Sequence, residues 1–373
     1  MDIINYYLTL ENVLLFIIII LLFIFIIFKS KLRIIIPYLI SFTLSLYIYE
    51  KIILKSEYDF TVHLGDYSSG NYFKKEVKNI GYGPPLEGNY SSTKLINSDT
   101  IYSVNYTIED KIRVTPSSNV KTTNQILFLG CSQTFGEGLN DDETLPNYFG
   151  EITEKTFNIK NYGFHGYGPH NIHSLLKYNI LPNLSQQNRT IVLYNFYWYH
   201  IDRAINNVSQ NEPWYEVENK QLVLKGAFRD RDHGLQPNFL SKYIKAFRNR
   251  VIRRSNIYKR HFLNQQPAID LNKINEIDIE RSLFLIKDMS KILKSVKVDF
   301  IVVVDKEISE NEFITNYFKN NQIQEICLEC EIPDLNENKL YEIPKDGHHS
   351  SILNRLKAEI LKEKLLSLRQ LDY

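Results

Sequence analysis

Two short segments hold residue types that together could break an ester bond. Ile126–Pro146 reads ILFLGCSQTFGEGLNDDETLP, an apolar run that turns through Gly130-Cys131-Ser132 into a glycine-spaced polar loop. Far downstream, Asp346-Gly347-His348-His349 places an acid and two imidazoles in one loop. A serine hydroxyl becomes a nucleophile when an imidazole can take its proton and a carboxylate orients that imidazole. The chain order Ser, Asp, His suits this chemistry. Cys131 beside the serine reads as a small packed side chain, since free Cys behaves as a small hydrophobe.

Such residues work only if the fold brings them together. Ile126–Leu129 has the character of a strand buried on both faces, with Gly130 permitting a sharp exit. Ser132 then falls at the carboxyl end of the strand, where open α/β sheets collect ligands and a following helix aims free N–H groups outward. Further strands are expected at Thr100–Ile108, Lys111–Thr115, Phe157–Tyr162 and Val298–Val304. Helices are expected at Asp142–Phe157, at His170–Leu181 and along Leu283, Ile286, Met289 and Leu293. Strands alternating with helices predict an α/β fold, a three-layer α/β/α sandwich with a mostly parallel sheet. The final helix-periodic stretch, Ile352–Leu368, follows the Asp-His loop directly.

On these residues the chain resembles the SGNH (GDSL-type) hydrolase family. Its first block, Gly-Asp-Ser with a following Thr and glycines, is matched by Gly130-Cys131-Ser132-Gln133-Thr134-Phe135-Gly136-Glu137-Gly138, with Cys in place of Asp. The second, an Asn and a Gly after a strand, is matched by Asn161-Tyr162-Gly163-Phe164-His165-Gly166. The last, Asp and His ahead of the final helix, is matched by DGHHSSILNRLKAEIL. The resemblance spans roughly residues 79–370. It implies Ser132 as nucleophile, His348 as base with His349 as the alternative, and Asp346 as orienting acid. It also implies an oxyanion hole from the Ser132 and Gly166 N–H groups and a side-chain donor, each worth about a hundredfold or more in rate.

That third donor has no obvious source. Ile191–His200 reads as a strand and its exit, but the family's Gly-x-Asn-Asp is missing, and Tyr199 and His200 stand in the corresponding places. His200 or Asn195 could supply it. His165 is a further histidine near the expected cleft. Pro213–Leu224 reads as a hairpin turning near Asn219, and Trp214 and Tyr215 either pack within it or stack on a sugar ring.

The amino terminus sets the expected location. Two apolar stretches, about 8–28 and 34–54, are separated by Lys29-Ser30-Lys31-Leu32-Arg33 and predict a hairpin of two transmembrane helices. The basic linker prefers the cytoplasmic side, which would put the remainder on the periplasmic or extracytoplasmic face of a bacterial inner membrane. The expected domains are therefore a membrane anchor (1–55), a β-rich lead-in (56–124) and a catalytic domain (125–373) with an insertion at about 205–270. In this setting the resemblance implies a membrane-anchored serine esterase or O-acyltransferase. Its substrate would be acylated, chiefly acetylated, envelope polysaccharide, or second a lipid ester. A membrane partner could feed it acyl donor. A catalytically weak glycan-binding role is the contrasting expectation.

Charge and cysteines add bounds. The 373 residues carry a formal net charge of +1, so no global electrostatic partner, nucleic acid included, is implied. Ser241–His261 is nonetheless rich in Lys and Arg, lacks acids and interleaves apolar residues, which suits an anionic surface or glycan. No phosphate loop or zinc-finger spacing occurs, so neither cofactor nor metal is expected. Cys327 and Cys330 form a lone C-x-x-C, open to a local disulfide or to two reduced thiols.

Overall fold

A computed structural model describes residues 10–27, 32–53, 61–66, 77, 79–83, 87–97, 99–184, 189–205, 210–232, 276–335, 337–368 and 370–371. The chain divides into two units, one of residues 1–60 and 235–270 and the other of 61–234 and 271–373. The basic stretch Ser241–His261 lies outside the described residues.

In the first unit, α1 (Leu10–Ile27) and α2 (Leu32–Ile48) pack together, and α2 passes into a π-helical turn at Tyr49–Ile53. The two expected transmembrane helices are overturned here, because no helix among the described residues is long and apolar enough to cross a membrane. α1 has 18 residues and α2 has 17 with Pro37 inside. At 1.5 Å per residue these run about 27 and 26 Å, short of the roughly 30 Å hydrocarbon core. The orientation argument from the basic linker loses its premise.

The second unit is built on a nine-stranded sheet of order β1-β2-β3-β4-β6-β5-β7-β10-β11. Its strands in chain order are β1 (Thr61–Gly65), β2 (Gly88–Ile96), β3 (Asp99–Glu109), β4 (Ile112–Arg113), β5 (Asn124–Leu129), β6 (Asn158–Asn161) and β7 (Arg189–Phe196), then, after the separate hairpin β8 (Pro213–Glu218) and β9 (Gln221–Ala227), β10 (Asp299–Val304) and β11 (Gln324–Cys327). The five strands β6, β5, β7, β10 and β11 are parallel. β1 to β4 extend them with antiparallel pairings, and one bridge, Arg113 to Asn161, joins the two parts. The sheet is thus mixed, its parallel half carrying the predicted α/β pattern and the β-rich lead-in continuing it.

Alternation along the strands makes the layers. Leu127, Leu129, Val192, Tyr194, Val302 and Val304 join one core with helices α5 (Pro169–Leu175), α6 (Tyr199–Arg203), α7 (Glu276–Ser295) and α8 (Glu312–Asn320). Ile126, Phe128, Ile191, Leu193, Ile301 and Val303 face the other side, against α4 (Leu145–Ile152) and α9 (Ser351–Ser367). Because successive side chains point to opposite faces, an uninterrupted apolar strand demands a helix layer on each.

The seam is held by a buried guanidinium. Arg113 is 1% exposed. It donates from Nη1 to the Phe135 and Gly136 carbonyls at 2.6 Å each, from Nη2 to the Leu139 carbonyl at 2.6 Å, and from Nε to Asp141 at 2.9 Å. The Tyr106 and Phe135 rings, in edge-to-face contact with each other, both pack against it, each 4.6 Å away. Removing one partner of such a buried set leaves the others desolvated, which costs about 3–5 kcal/mol. Arg113→Met should lower the unfolding free energy by about that amount in denaturant melts. Arg113→Lys should recover little, since one ammonium cannot span the three carbonyls.

Candidate active site

β5 ends at Leu129, and the chain leaves it through Gly130 into the single helical turn α3 (Ser132–Phe135). Cys131 is extended at the turn's start, and Gly136 ends it with φ +84°, a left-handed value that favours glycine. Ser132 therefore sits at the first position of a helical turn, where backbone N–H groups have no preceding carbonyl to bond. Strand order 2-1-3-4-5 across the parallel half puts this turn at the carboxyl edge where the connections diverge to opposite sides of the sheet.

The loop after β6 is pinned against the same turn. Asn161 donates its amide to the Thr134 carbonyl at 3.0 Å and accepts from the Gly163 N–H at 3.0 Å. A Cβ on Gly163 would stand 2.4 Å from the Phe135 nitrogen, so only glycine allows this approach. Gly166 lies in the turn closed by Tyr167 N–H to the Phe164 carbonyl at 3.3 Å.

The loop before α9 completes the cluster. His348 Nε2 lies 2.8 Å from Ser132 Oγ, and its Nδ1 lies 2.5 Å from Asp346 Oδ2. With Asp346 ionised, Nδ1–H donates to the carboxylate, which leaves Nε2 free to accept the serine O–H. Gln133 steadies the loop from the side, donating to the Gly347 carbonyl at 3.2 Å and accepting from the His349 N–H at 2.9 Å. Lys94, on β2, forms an ion pair with the other oxygen of Asp346.

Burial and charge oppose each other here. Burial alone would raise the Asp346 carboxyl, but hydrogen bonds from His348 and Lys94 hold it below the usual carboxylate range. Burial likewise works against the His348 imidazolium. The hydrogen bond to Asp346 and the negative charges of Glu137 and Asp346 outweigh it, so the imidazole titrates above the ordinary histidine value. Ser132 is only 6% exposed, whereas the His348 side chain keeps 20%.

The other candidates from the sequence lie elsewhere or are otherwise engaged. His349 turns away from Ser132 toward Lys357 at 3.3 Å and Glu329 at 3.7 Å, with its ring 5.8 Å from that of Tyr197. Asn195 donates to Thr134 Oγ1 at 2.8 Å within the core. His200 is buried among the Tyr194, Phe196, Tyr197 and Tyr199 rings, with Nδ1 3.3 Å from the Tyr194 hydroxyl. Trp214 packs on Phe228 with its indole N–H donated to Glu216, and the Tyr215 hydroxyl lies 2.6 Å from Ser174 Oγ, so both rings are buried in and beneath the β8–β9 hairpin. Cys131 is fully buried, 3.3 Å from the Tyr199 hydroxyl, and Cys327 and Cys330 are joined as a disulfide. His165, by contrast, reaches the cluster through Glu137, its Nδ1 2.6 Å from the carboxylate.

Sequence reasoning missed Lys94, Glu137 and the anchoring role of Gln133. Glu137 and Gln133 were visible inside the first block, but only the fold reveals that they turn toward His348. Lys94 carried no local signal.

A hydroxyl, an imidazole and a carboxylate in this order are the groups that activation of a serine requires. A fluorophosphonate probe should label the full chain at Ser132 and leave Ser132→Ala unlabelled. His348→Ala should lose nearly all labelling, while His349→Ala should retain it. Intact-mass measurement reads each outcome directly.

No family model and no curated protein matches the chain. Among solved structures it is similar to a lipolytic protein of the G-D-S-L family from Desulfitobacterium hafniense, at 12% identity and TM-score 0.36 over 64% of this chain and 98% of that one. It is also similar to a GDSL-like lipase from Bacteroides thetaiotaomicron, at 14% identity and TM-score 0.35 over 67% and 92%. A carbohydrate esterase structure is similar at 12% identity and TM-score 0.35, over 70% of each chain.

Proposed function

We propose that this chain is a serine esterase that cleaves small acyl esters, acetyl above all, from a carbohydrate. The observation that carries the reading is the continuous relay Ser132–His348–Asp346, with contacts of 2.8 and 2.5 Å. His348 Nε2 takes the Ser132 proton as Oγ bonds to the ester carbonyl carbon. The Ser132 N–H, with the Gly166 N–H across the loop, is the donor set assigned to the resulting oxyanion. Collapse expels the alcohol, which receives the proton from Nε2, and leaves an acyl-serine. Water activated by the same nitrogen releases the acid, or a sugar hydroxyl takes the acyl group by transfer.

Two features support the substrate class. The nucleophile's low exposure favours a small acyl group. Its neighbours Gln133, Glu137, Lys94 and His348 are polar, which suits a hydroxylated alcohol better than a long chain. The disulfide supports an oxidising, extracytoplasmic setting, where envelope polysaccharide is the first substrate to test. One observation favours the contrasting reading of a weak, glycan-binding relative: Asn195 spends its amide on Thr134 Oγ1 and His200 is fully buried among aromatic rings, so neither presents an exposed donor for the third oxyanion contact.

Hydrolysis of p-nitrophenyl acetate by the full chain separates the two. Turnover should fall by at least about a thousandfold in Ser132→Ala. The base must be neutral to accept a proton, and its raised pKa keeps it protonated to higher pH. kcat/KM should therefore be lost as pH falls through a midpoint above about 6.5. Absence of wild-type turnover across this range, on this ester and on O-acetylated polysaccharide, would favour the binding role.

A further inference from the structure

A second carboxylate touches the base. Glu137 Oε2 lies 3.5 Å from His348 Nε2, the nitrogen that faces Ser132 Oγ at 2.8 Å. The same oxygen is 2.6 Å from His165 Nδ1. Both side chains are buried, Glu137 in the glycine-flanked loop after α3 and His165 in the loop after β6. The His165 ring lies 4.3 Å from that of Phe135 and 5.1 Å from that of Phe164, so the carboxylate it holds has little room to swing away.

Burial opposes the charged form of His165 more strongly than Glu137 favours it, which pulls its titration below the ordinary histidine value and favours the neutral ring. Its Nδ1–H therefore donates to Glu137 without adding charge, and the carboxylate keeps its attraction for His348. Among the described residues, the charged and titratable groups around His348 and Glu137 include Asp346 on the His348 loop, Lys94 on β2, His63 on β1, Tyr102 and Tyr106 on β3, Arg113 on β4, His165, and His349 with Lys357 behind. Lys94 opposes the imidazolium, and Asp346 supports it from Nδ1. Among the described residues, Glu137 is the carboxylate that approaches from the Nε2 side, where the transferred proton would arrive.

Resting on the esterase reading, we propose that Glu137, clamped by His165, is a positioning residue that stabilises the His348 imidazolium formed on serine attack and sets the pH below which the resting base stays blocked. During acylation the proton leaves Ser132 Oγ for Nε2 as the Oγ–carbon bond forms. Nε2–H then faces two acceptors, the leaving oxygen and Glu137. The proton passes to the leaving oxygen when the carbon–oxygen bond breaks, and Glu137 ends as it began. The same contact favours a protonated base before substrate arrives, so faster attack is coupled to a higher working pH.

The test is an NMR titration of ring-labelled histidines in the full chain, with the His348 signal assigned by its loss in His348→Ala, alongside kcat/KM for p-nitrophenyl acetate against pH. In Glu137→Gln the His348 midpoint should fall by about one pH unit. The acid limb of the rate profile should move with it, and the plateau should drop about tenfold. Glu137→Asp should give an intermediate midpoint. His165→Phe, which removes the clamp but not the charge, should lower the plateau. A His348 midpoint that stays put in folded Glu137→Gln overturns the proposal, as does a plateau loss without any shift. The titration does not need turnover, so a wild type that hydrolyses no ester while keeping a Glu137-dependent midpoint counts against the esterase reading and leaves the coupling standing.

Discussion

Everything at the candidate site depends on where the backbone carbonyls of the Ser132 loop find their donors. The turn that lifts Ser132 off β5 and returns through Gly136 and Gly138 directs the carbonyls of Phe135, Gly136 and Leu139 inward, away from any strand partner. Buried carbonyls must be satisfied, and within the loop only the Leu139 N–H reaches one of them, the Gly136 carbonyl, at 3.2 Å. Arg113 reaches all three from outside, one planar guanidinium with several donors in fixed directions, packed against Tyr106 and Phe135. With those carbonyls anchored, the direction of Ser132 Oγ and the reach of Glu137 are both determined.

The same economy governs the charges. Asp346, Lys94, Glu137 and His348 are largely withdrawn from water, where isolated ions would be costly. Each instead has a partner within hydrogen-bonding or close ionic range. Their supports come from separated parts of the chain: β2, the loop after α3, the loop after β6 and the loop before α9. A short contact between one donor and one acceptor therefore reports on the registration of the whole sheet. On the far side of the His348 loop, Lys357, Glu329 and His349 form a second buried group, so consecutive histidines serve opposite faces of one turn.

What could be read in the sequence followed from local physics. The apolar run 126–129, its glycine exit and the Asp-x-His spacing ahead of a helix each express a short-range rule, and the fold places their residues in contact. Arg113, Lys94 and the Glu137–His165 pair were invisible because their partners lie from 22 to 252 positions away in sequence, and only the pairing of strands brings them together. Aromatic composition misled in the opposite direction. Trp214, Tyr215 and His200 have side chains that can bind ligands, but the same apolar area that makes them good ligand contacts also makes them good core. At the amino terminus, apolar character suggested two spans, whereas the helices among the described residues are too short for that purpose. Composition reports affinity for a nonpolar phase; segment length decides which phase can be crossed.

The position of Arg113 and Lys94 on β4 and β2 bears on modularity. All three relay residues lie between Ser132 and His348, so the stretch from β5 to α9 looks self-sufficient as a unit of descent or of excision. It is not, because the guanidinium that shapes the Ser132 turn and the ammonium that pairs with Asp346 both enter from strands that precede it. The smallest heritable unit of this site therefore begins no later than β2. Recombination at the β4–β5 connection would carry Ser132, Asp346 and His348 to a new neighbour and leave behind the groups that hold them in place.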